Sequence, residues 1–151
     1  MKTSAGILLY KINKSDEPAF FLVHPGGPFF AKKDNGFWTI PKGEIEPDED
    51  PLETAKREFE EETGIKPTGN FISIGEIKQK GGKIVRAWAV EGDLDIEKIQ
   101  SNTFEIEWPP RSGRRKSFPE IDKAGWFTFA EAREKINEAQ SIFLTRLIEL
   151  R

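Results

Sequence analysis

The chain of 151 residues contains no cysteine. Disulfides, thiolate metal sites and thiol nucleophiles are therefore excluded, and the composition fits a reducing compartment, so we predict a cytoplasmic protein. The chain also lacks a run of about 18 apolar residues, the length that a membrane-spanning helix needs. Its formal net charge of −3 disfavours broad electrostatic attraction to nucleic acid or anionic lipid. The length is typical of one globular domain, which we place at residues 1–151.

Apolar segments alternate with turn residues in a mixed order of strands and helices. We predict strands at residues 5–12, 19–24, 37–40, 71–79, 83–91, 104–108 and 125–129. We predict helices at residues 50–63, 94–100, 130–137 and 142–150. The segment 108–120, WPPRSGRRKSFPE, is rich in Pro and Arg and is predicted to be a loop. This order favours one mixed sheet with helices on its faces.

The helix predicted to start at Asp50 ends in a concentration of acidic side chains. Residues 43–65 hold ten acidic residues against two basic ones, which leaves a local charge of −8. Glu58, Glu61 and Glu62 are spaced i, i+3, i+4, so their carboxylates converge at the helix end that disfavours negative charge. A divalent cation would neutralise them, and oxygen ligands without His or Cys favour Mg²⁺ or Mn²⁺. A solvated acidic face is the alternative interpretation.

Residues next to these glutamates suggest phosphate chemistry. Lys42 places a cation beside the acidic segment, where it is suited to hold phosphate oxygens. Gly43 allows the backbone to approach a ligand or metal closely. Arg57 is expected to pair with one of the glutamates and to hold its orientation. The single histidine, His24, is interpreted as structural.

A second basic cluster lies in the segment predicted to be a loop. It contains Arg111, Arg114, Arg115 and Lys116, and it is flanked by Trp108 and Phe118. Arginines bind phosphates well and aromatic rings can stack on a base, so we favour a role in binding a polyphosphate chain. A solvated basic loop and a surface that touches RNA are the alternatives.

Residues 43–65, GEIEPDEDPLETAKREFEEETGI, resemble the Nudix box, G-x5-E-x7-R-E-U-x-E-E-x-G-U, in which U is a bulky apolar residue. All nine specified positions are filled, by Gly43, Glu49, Arg57, Glu58, Phe59, Glu61, Glu62, Gly64 and Ile65. Phe59 stands where an aliphatic residue is commoner. The order of elements is also similar to that of the family, so the resemblance implies the Nudix α/β/α sandwich with a mixed β-sheet.

The resemblance implies hydrolysis of a nucleoside diphosphate linked to another group, with Mg²⁺ or Mn²⁺ as cofactor. It implies metal ligation by Glu58, Glu61 and Glu62 together with the Gly43 carbonyl, with Glu49 in support. The implied catalytic set is Glu58, Glu61, Arg57 and Glu120.

The general base in relatives is a box glutamate or a glutamate from a distal loop. Glu120 is the candidate for the distal one, because it lies six residues before Trp126 as in many relatives. An ordinary exposed glutamate is the alternative interpretation of Glu120. Glu105 and Glu107 are weaker candidates for the base.

The segment WTIPKG, residues 38–43, resembles Nudix enzymes that act on dinucleoside polyphosphates or inositol polyphosphates. Dinucleoside polyphosphate hydrolases also carry a tyrosine shortly after the box, where this chain has the sequence KGG at residues 80–82. A dinucleoside polyphosphate and a nucleoside triphosphate are therefore both expected substrates. The alternatives are a 5′-end RNA pyrophosphohydrolase and a catalytically inactive nucleotide-binding module.

Overall fold

The computed structural model describes residues 2–151, which form a six-stranded mixed sheet, a two-stranded hairpin and three α-helices. The strands are β1 (Thr3–Ile12), β2 (Pro18–Pro25), β3 (Lys42–Glu44), β4 (Ile72–Lys78), β5 (Ile84–Glu91), β6 (Thr103–Glu107), β7 (Arg115–Pro119) and β8 (Ile121–Phe127). The helices are α1 (Pro51–Thr63), α2 (Phe129–Lys135) and α3 (Ser141–Glu149). In this part of the chain, every helix is too short or too polar to cross a bilayer.

The sheet has the strand order β4-β5-β1-β2-β8, and β3 pairs with the first part of β1. Strands β1 and β5 run parallel, whereas the other neighbours in this sheet run antiparallel. One edge of β1 binds β3 at residues 4–6 and β2 at residues 10–12. The short strand β3 therefore lies where β1 and β2 diverge, and it carries Lys42 and Gly43 to that point.

Side chains alternate between the two faces of the sheet, as the period of two in a strand requires. On one face, Ala5 and Ile7 belong to a core cluster with Ala55 and Phe59 of α1. On the other face, Leu8 packs in a cluster with α2 and α3, including the fully buried Phe143. The predicted α/β/α sandwich with a mixed sheet is confirmed.

Helix α1 begins and ends where the local sequence predicts. The carboxylate of Asp50 accepts a hydrogen bond from the Glu53 amide at 3.2 Å, and Pro51 occupies the first helical position. Gly64 ends the helix with a left-handed φ of 78°, and its amide donates to the Glu60 carbonyl at 2.7 Å. These two caps fix the bounds of α1, and the packing of Ala55 and Phe59 in the core fixes which face carries the glutamates.

Four predicted elements differ from the structure. The strand predicted at 125–129 begins earlier, at Ile121, and it ends at Phe127 because Thr128 caps helix α2. Residues 37–40 form isolated bridges at Trp38 and Thr39 rather than a strand, and residues 94–100 contain only a 3₁₀ turn at Ile96–Lys98. The predicted loop over 108–120 is wrong for its second half, because β7 pairs with β6 over five residue pairs. Exposed basic side chains in β7 hide its alternation, and Phe118 alone marks the half-buried face. Arg115 and Lys116 therefore lie in a strand, while Arg111 and Arg114 lie in the turn before it.

Candidate active site

The carboxylate of Glu58 lies directly against the backbone of Gly43. A Cβ atom added to Gly43 would overlap this carboxylate, so the close approach of β3 and α1 requires glycine. Burial raises the pKa of Glu58, and the charge of Glu61 raises it further. The structure thus brings together Gly43 and two of the glutamates singled out in the sequence.

Arg57 connects three of the glutamates. Its guanidinium donates two hydrogen bonds to Glu49, at 2.9 and 3.0 Å, in a bidentate pair. The same guanidinium donates to Glu58 at 3.2 Å and to Glu61 at 3.0 Å. Hydrogen bonding to Arg57 lowers the pKa of Glu49 to about 2, whereas the acidic neighbours raise the pKa of Arg57. The predicted pairing of Arg57 with a glutamate is present, and it involves three partners.

Glu62 is the most deeply placed of the glutamates. Its residue is 7% exposed, and within residues 2–151 its Oε1 atom is buried without a hydrogen-bond partner. Burial, with the charge of Glu58 added, raises the pKa of Glu62 to about 8. Lys42 is half-buried beside it, and burial lowers the pKa of Lys42 against the attraction of Glu62. A buried polar oxygen without a partner is costly, which suggests that this position serves a ligand.

Glu120 lies in the same electrostatic neighbourhood, far from α1 in sequence. Burial raises the pKa of Glu120, the charge of Glu61 raises it further, and Glu120 in turn raises the pKa of Glu58 and Glu62. A short backbone connection holds it there: the amide of Asn102 donates to the Glu61 carbonyl at 2.9 Å, and the Glu120 amide donates to the Asn102 carbonyl at 2.8 Å.

The donor set of this cluster fits a hard divalent cation. Every candidate ligand is an oxygen, Glu62 offers a buried oxygen that lacks a partner in the described chain, and the Glu58 carboxylate lies against the backbone of Gly43. Among residues 2–151, no three His, Asp or Glu side chains are already arranged as a ligand shell. Arg57 donates hydrogen bonds to Glu58 and Glu61, and a bound cation would compete with it for these carboxylates.

The residues of the basic cluster form no ion pairs with the glutamates within residues 2–151. Arg111, Arg114, Arg115 and Lys116 are all exposed, and within residues 2–151 none of them forms an ion pair. The turn that carries the first two is ordered by Glu107, whose carboxylate accepts from the amides of Arg111 and Gly113 at 3.0 and 3.1 Å. The cations that act on the glutamates are Arg57 and Lys42 instead.

A cavity of about 820 Å³ lies between the segment at Gly36 and Phe37, the end of β4 and residues 137–139. It is lined by Gly36, Phe37, Lys78, Gln79, Lys80, Asn137, Glu138 and Ala139. Gln79 in its wall accepts a hydrogen bond from the buried Gln140 at 2.9 Å, and Gln140 accepts from the Ile40 amide at 3.1 Å. This chain of contacts links the cavity wall to the segment that leads into Lys42.

Sequence reasoning missed the residues that act through long-range contacts. Gln140 had no signal, because a lone glutamine between two helical segments is unremarkable in sequence. His24 is structural as predicted: it is buried, with Asp122 and the Lys33 carbonyl each 2.7 Å from a ring nitrogen. Gly26 also contributes, since its amide donates to the Glu120 carbonyl at 2.8 Å. The glycine pair at 26–27 was the available signal for such a close approach.

Residues 2–147 match the sequence profile of the NUDIX domain. The chain belongs to the Nudix family. It is 39% identical over 67 residues to the bis(5′-nucleosyl)-tetraphosphatase [asymmetrical] of Rattus norvegicus. That match covers 40% of this chain and 46% of the rat protein, so the Nudix chain aligns with less than half of that relative's length.

Solved structures share the fold over nearly the whole chain. The binary complex of a C. elegans Ap4A hydrolase has a TM-score of 0.68 and 20% identity, with 97% of this chain and 96% of the other covered. The NUDIX domain of Shewanella oneidensis NrtR complexed with ADP ribose has a TM-score of 0.65 and 14% identity, with coverage of 98% and 86%. At these identities the likeness supports the fold alone.

Proposed function

We propose that this Nudix chain is a hydrolase that cleaves a pyrophosphate linkage in a nucleoside diphosphate derivative and requires Mg²⁺ or Mn²⁺. The observation that carries the proposal is the buried Oε1 of Glu62, which has no hydrogen-bond partner among residues 2–151 and lies beside Lys42 and the Glu58–Gly43 contact. A buried carboxylate cluster of this kind destabilises the fold unless a ligand compensates its charge. Binding of a divalent cation would provide that compensation.

Glu58, Glu61 and Glu62, with the Gly43 carbonyl, are the residues that would hold the cation. When bound, Mg²⁺ or Mn²⁺ neutralises pyrophosphate charge and makes water a better nucleophile. Lys42, whose pKa is lowered by burial, would bind a phosphate oxygen at the edge of the cluster. Arg57 would keep Glu49, Glu58 and Glu61 oriented through its four hydrogen bonds, a positioning role.

Glu120 is the proposed general base. A water attacks one phosphorus of the pyrophosphate, the bridging P–O bond breaks toward the leaving phosphate, and the proton of the water passes to the Glu120 carboxylate. The raised pKa of Glu120 supports this role, because a base whose pKa lies nearer the working pH accepts a proton more effectively. Its connection through Asn102 to Glu61 would keep it at the cluster.

The proposed substrate is a dinucleoside polyphosphate, with a nucleoside triphosphate as the second candidate. The name of the rat relative supports the first, and the cavity of about 820 Å³ walled by Phe37, Lys78 and Lys80 supports any nucleotide. The cytoplasmic location expected from the composition remains a prediction.

A substrate screen with Mg²⁺ or Mn²⁺ tests the function. Nucleoside triphosphates, dinucleoside polyphosphates, sugar nucleotides and capped RNA are incubated with the protein, and released phosphate and pyrophosphate are measured. Glu61→Gln and Glu62→Gln should lower turnover by orders of magnitude, whereas Glu60→Gln, on the exposed side of the same helix turn, should not. Absence of turnover on every anhydride would favour the inactive nucleotide-binding module instead.

A further inference from the structure

An aromatic pair with no part in the core lies beside the basic turn. Phe29 is 64% exposed, and its ring meets the ring of Trp108 edge-to-face at a centroid distance of 5.5 Å. The two residues come from different segments, the loop after β2 and the end of β6. Such an arrangement keeps a large apolar ring in water, which folding alone does not favour.

Two glycines dock the loop that carries Phe29 onto the hairpin. A Cβ at Gly26 would overlap the Pro119 carbonyl, and Gly27 has a φ of 94°. A Cβ at Gly27 would lie 2.8 Å from the ring of Phe104 in β6. These contacts leave no room for a side chain at Gly26 or Gly27. The loop therefore lies directly on the hairpin and holds the exposed Phe29 there.

The turn of the hairpin presents its arginines from an ordered backbone. Besides the Glu107 contacts described above, the Trp108 amide donates to the Arg114 carbonyl at 2.9 Å. Trp108 and Arg114 are therefore direct neighbours across the turn. Arg111 and Arg114 are exposed, and within residues 2–151 no acidic side chain neutralises them in an ion pair.

The aromatic pair and the arginines lie away from the glutamate cluster. Strand β7 separates the turn from Glu120, and its five residues span roughly 16 Å at about 3.3 Å each. A ligand that touches both places must therefore extend well beyond one pyrophosphate linkage.

We propose that Phe29, Trp108, Arg111 and Arg114 form a binding site for the distal nucleoside, and its adjoining phosphate, of a dinucleoside polyphosphate. This distal site rests on the proposed function, because it binds the far half of the substrate whose pyrophosphate linkage is cleaved at the glutamates. A nucleobase stacks on the open aromatic faces, and the guanidinium groups bind phosphate oxygens. A single nucleotide that occupies the glutamate cluster does not reach this site.

The experiment compares two substrates with the same phosphate chain, diadenosine tetraphosphate and adenosine 5′-tetraphosphate. For Phe29→Ala and Trp108→Ala, the ratio of kcat/KM for the first substrate over the second should fall by roughly tenfold, because each variant loses a ring on which the distal base stacks. Trp108→Phe should restore most of the ratio. Ile72→Ala, an exposed apolar residue on edge strand β4, is the matched control and should leave it unchanged.

Each other outcome separates the distal site from the proposed function. An unchanged ratio in both alanine variants, with wild-type turnover intact, overturns the distal site alone. A loss seen only with 5′-triphosphorylated RNA assigns the same residues to an RNA strand and overturns it as well. If no anhydride is hydrolysed, calorimetric titration still decides: the distal site requires tighter binding of diadenosine tetraphosphate than of adenosine 5′-tetraphosphate, and loss of that difference in Phe29→Ala.

Discussion

The Glu62→Gln substitution should change how stability depends on pH when metal is absent. Folding raises the pKa of Glu62 from 4.5 to about 8. The contribution of Glu62 to the free energy of unfolding is therefore fully present below pH 4.5 and is lost as pH rises through about 8. At about 1.36 kcal/mol per pKa unit, ionisation of this one group lowers the free energy of unfolding by about 4 kcal/mol by pH 8. Glutamine cannot ionise, so the variant lacks this loss.

Thermal unfolding in EDTA at pH 5 and pH 8 measures the effect. Even half of the expected free energy corresponds to a Tm difference of roughly 4–8 °C that develops between the two pH values. Glu60→Gln serves as the control, since Glu60 is exposed on the same helix turn and should behave as the wild type. Parallel Tm values for wild type and Glu62→Gln from pH 5 to pH 8 would refute the argument from burial.

Three further predictions concern the same cluster. Gly43→Ala should reduce turnover severely in a protein that still folds, because the added Cβ displaces the Glu58 carboxylate; kinetics and a thermal scan check this. In the wild type, kcat should fall as pH drops through the raised pKa of Glu120, and Glu120→Gln should lose that acid limb; an unchanged pH–rate profile would assign the base elsewhere. The wild type should lose stability between about pH 4.5 and 2, as Glu49 becomes protonated and its pairing with Arg57 is lost. The Arg57→Lys variant should lack this contribution to stability already at higher pH, and acid titration of folding will show the difference.

Features set by neighbouring residues were predictable from the sequence. The bounds of α1 follow from Asp50, Pro51 and Gly64, which act within one helical turn of each end. The spacing of Glu58, Glu61 and Glu62 follows from helical geometry and needs no tertiary information. The exposed position of Glu60 follows from the same geometry.

Features set by distant contacts were not predictable in the same way. Strand β7 exists because β6 pairs with it, and its own residues give almost no pattern. The place of Glu120 depends on Asn102, and the path into β3 depends on Gln140, which lies 100 residues from its partner Ile40. The raised pKa of Glu62 likewise depends on how deeply α1 packs against the sheet, which spacing alone does not reveal.

The central claim is that the glutamates at the end of α1 hold a divalent cation. Titration with Mn²⁺, followed by electron paramagnetic resonance of the free ion, tests it without reference to any substrate. We expect the wild type and Glu60→Gln to bind Mn²⁺ alike, and Glu62→Gln to bind it at least roughly tenfold more weakly. Equal binding by Glu62→Gln and the wild type, or equal loss in Glu60→Gln, would contradict the account.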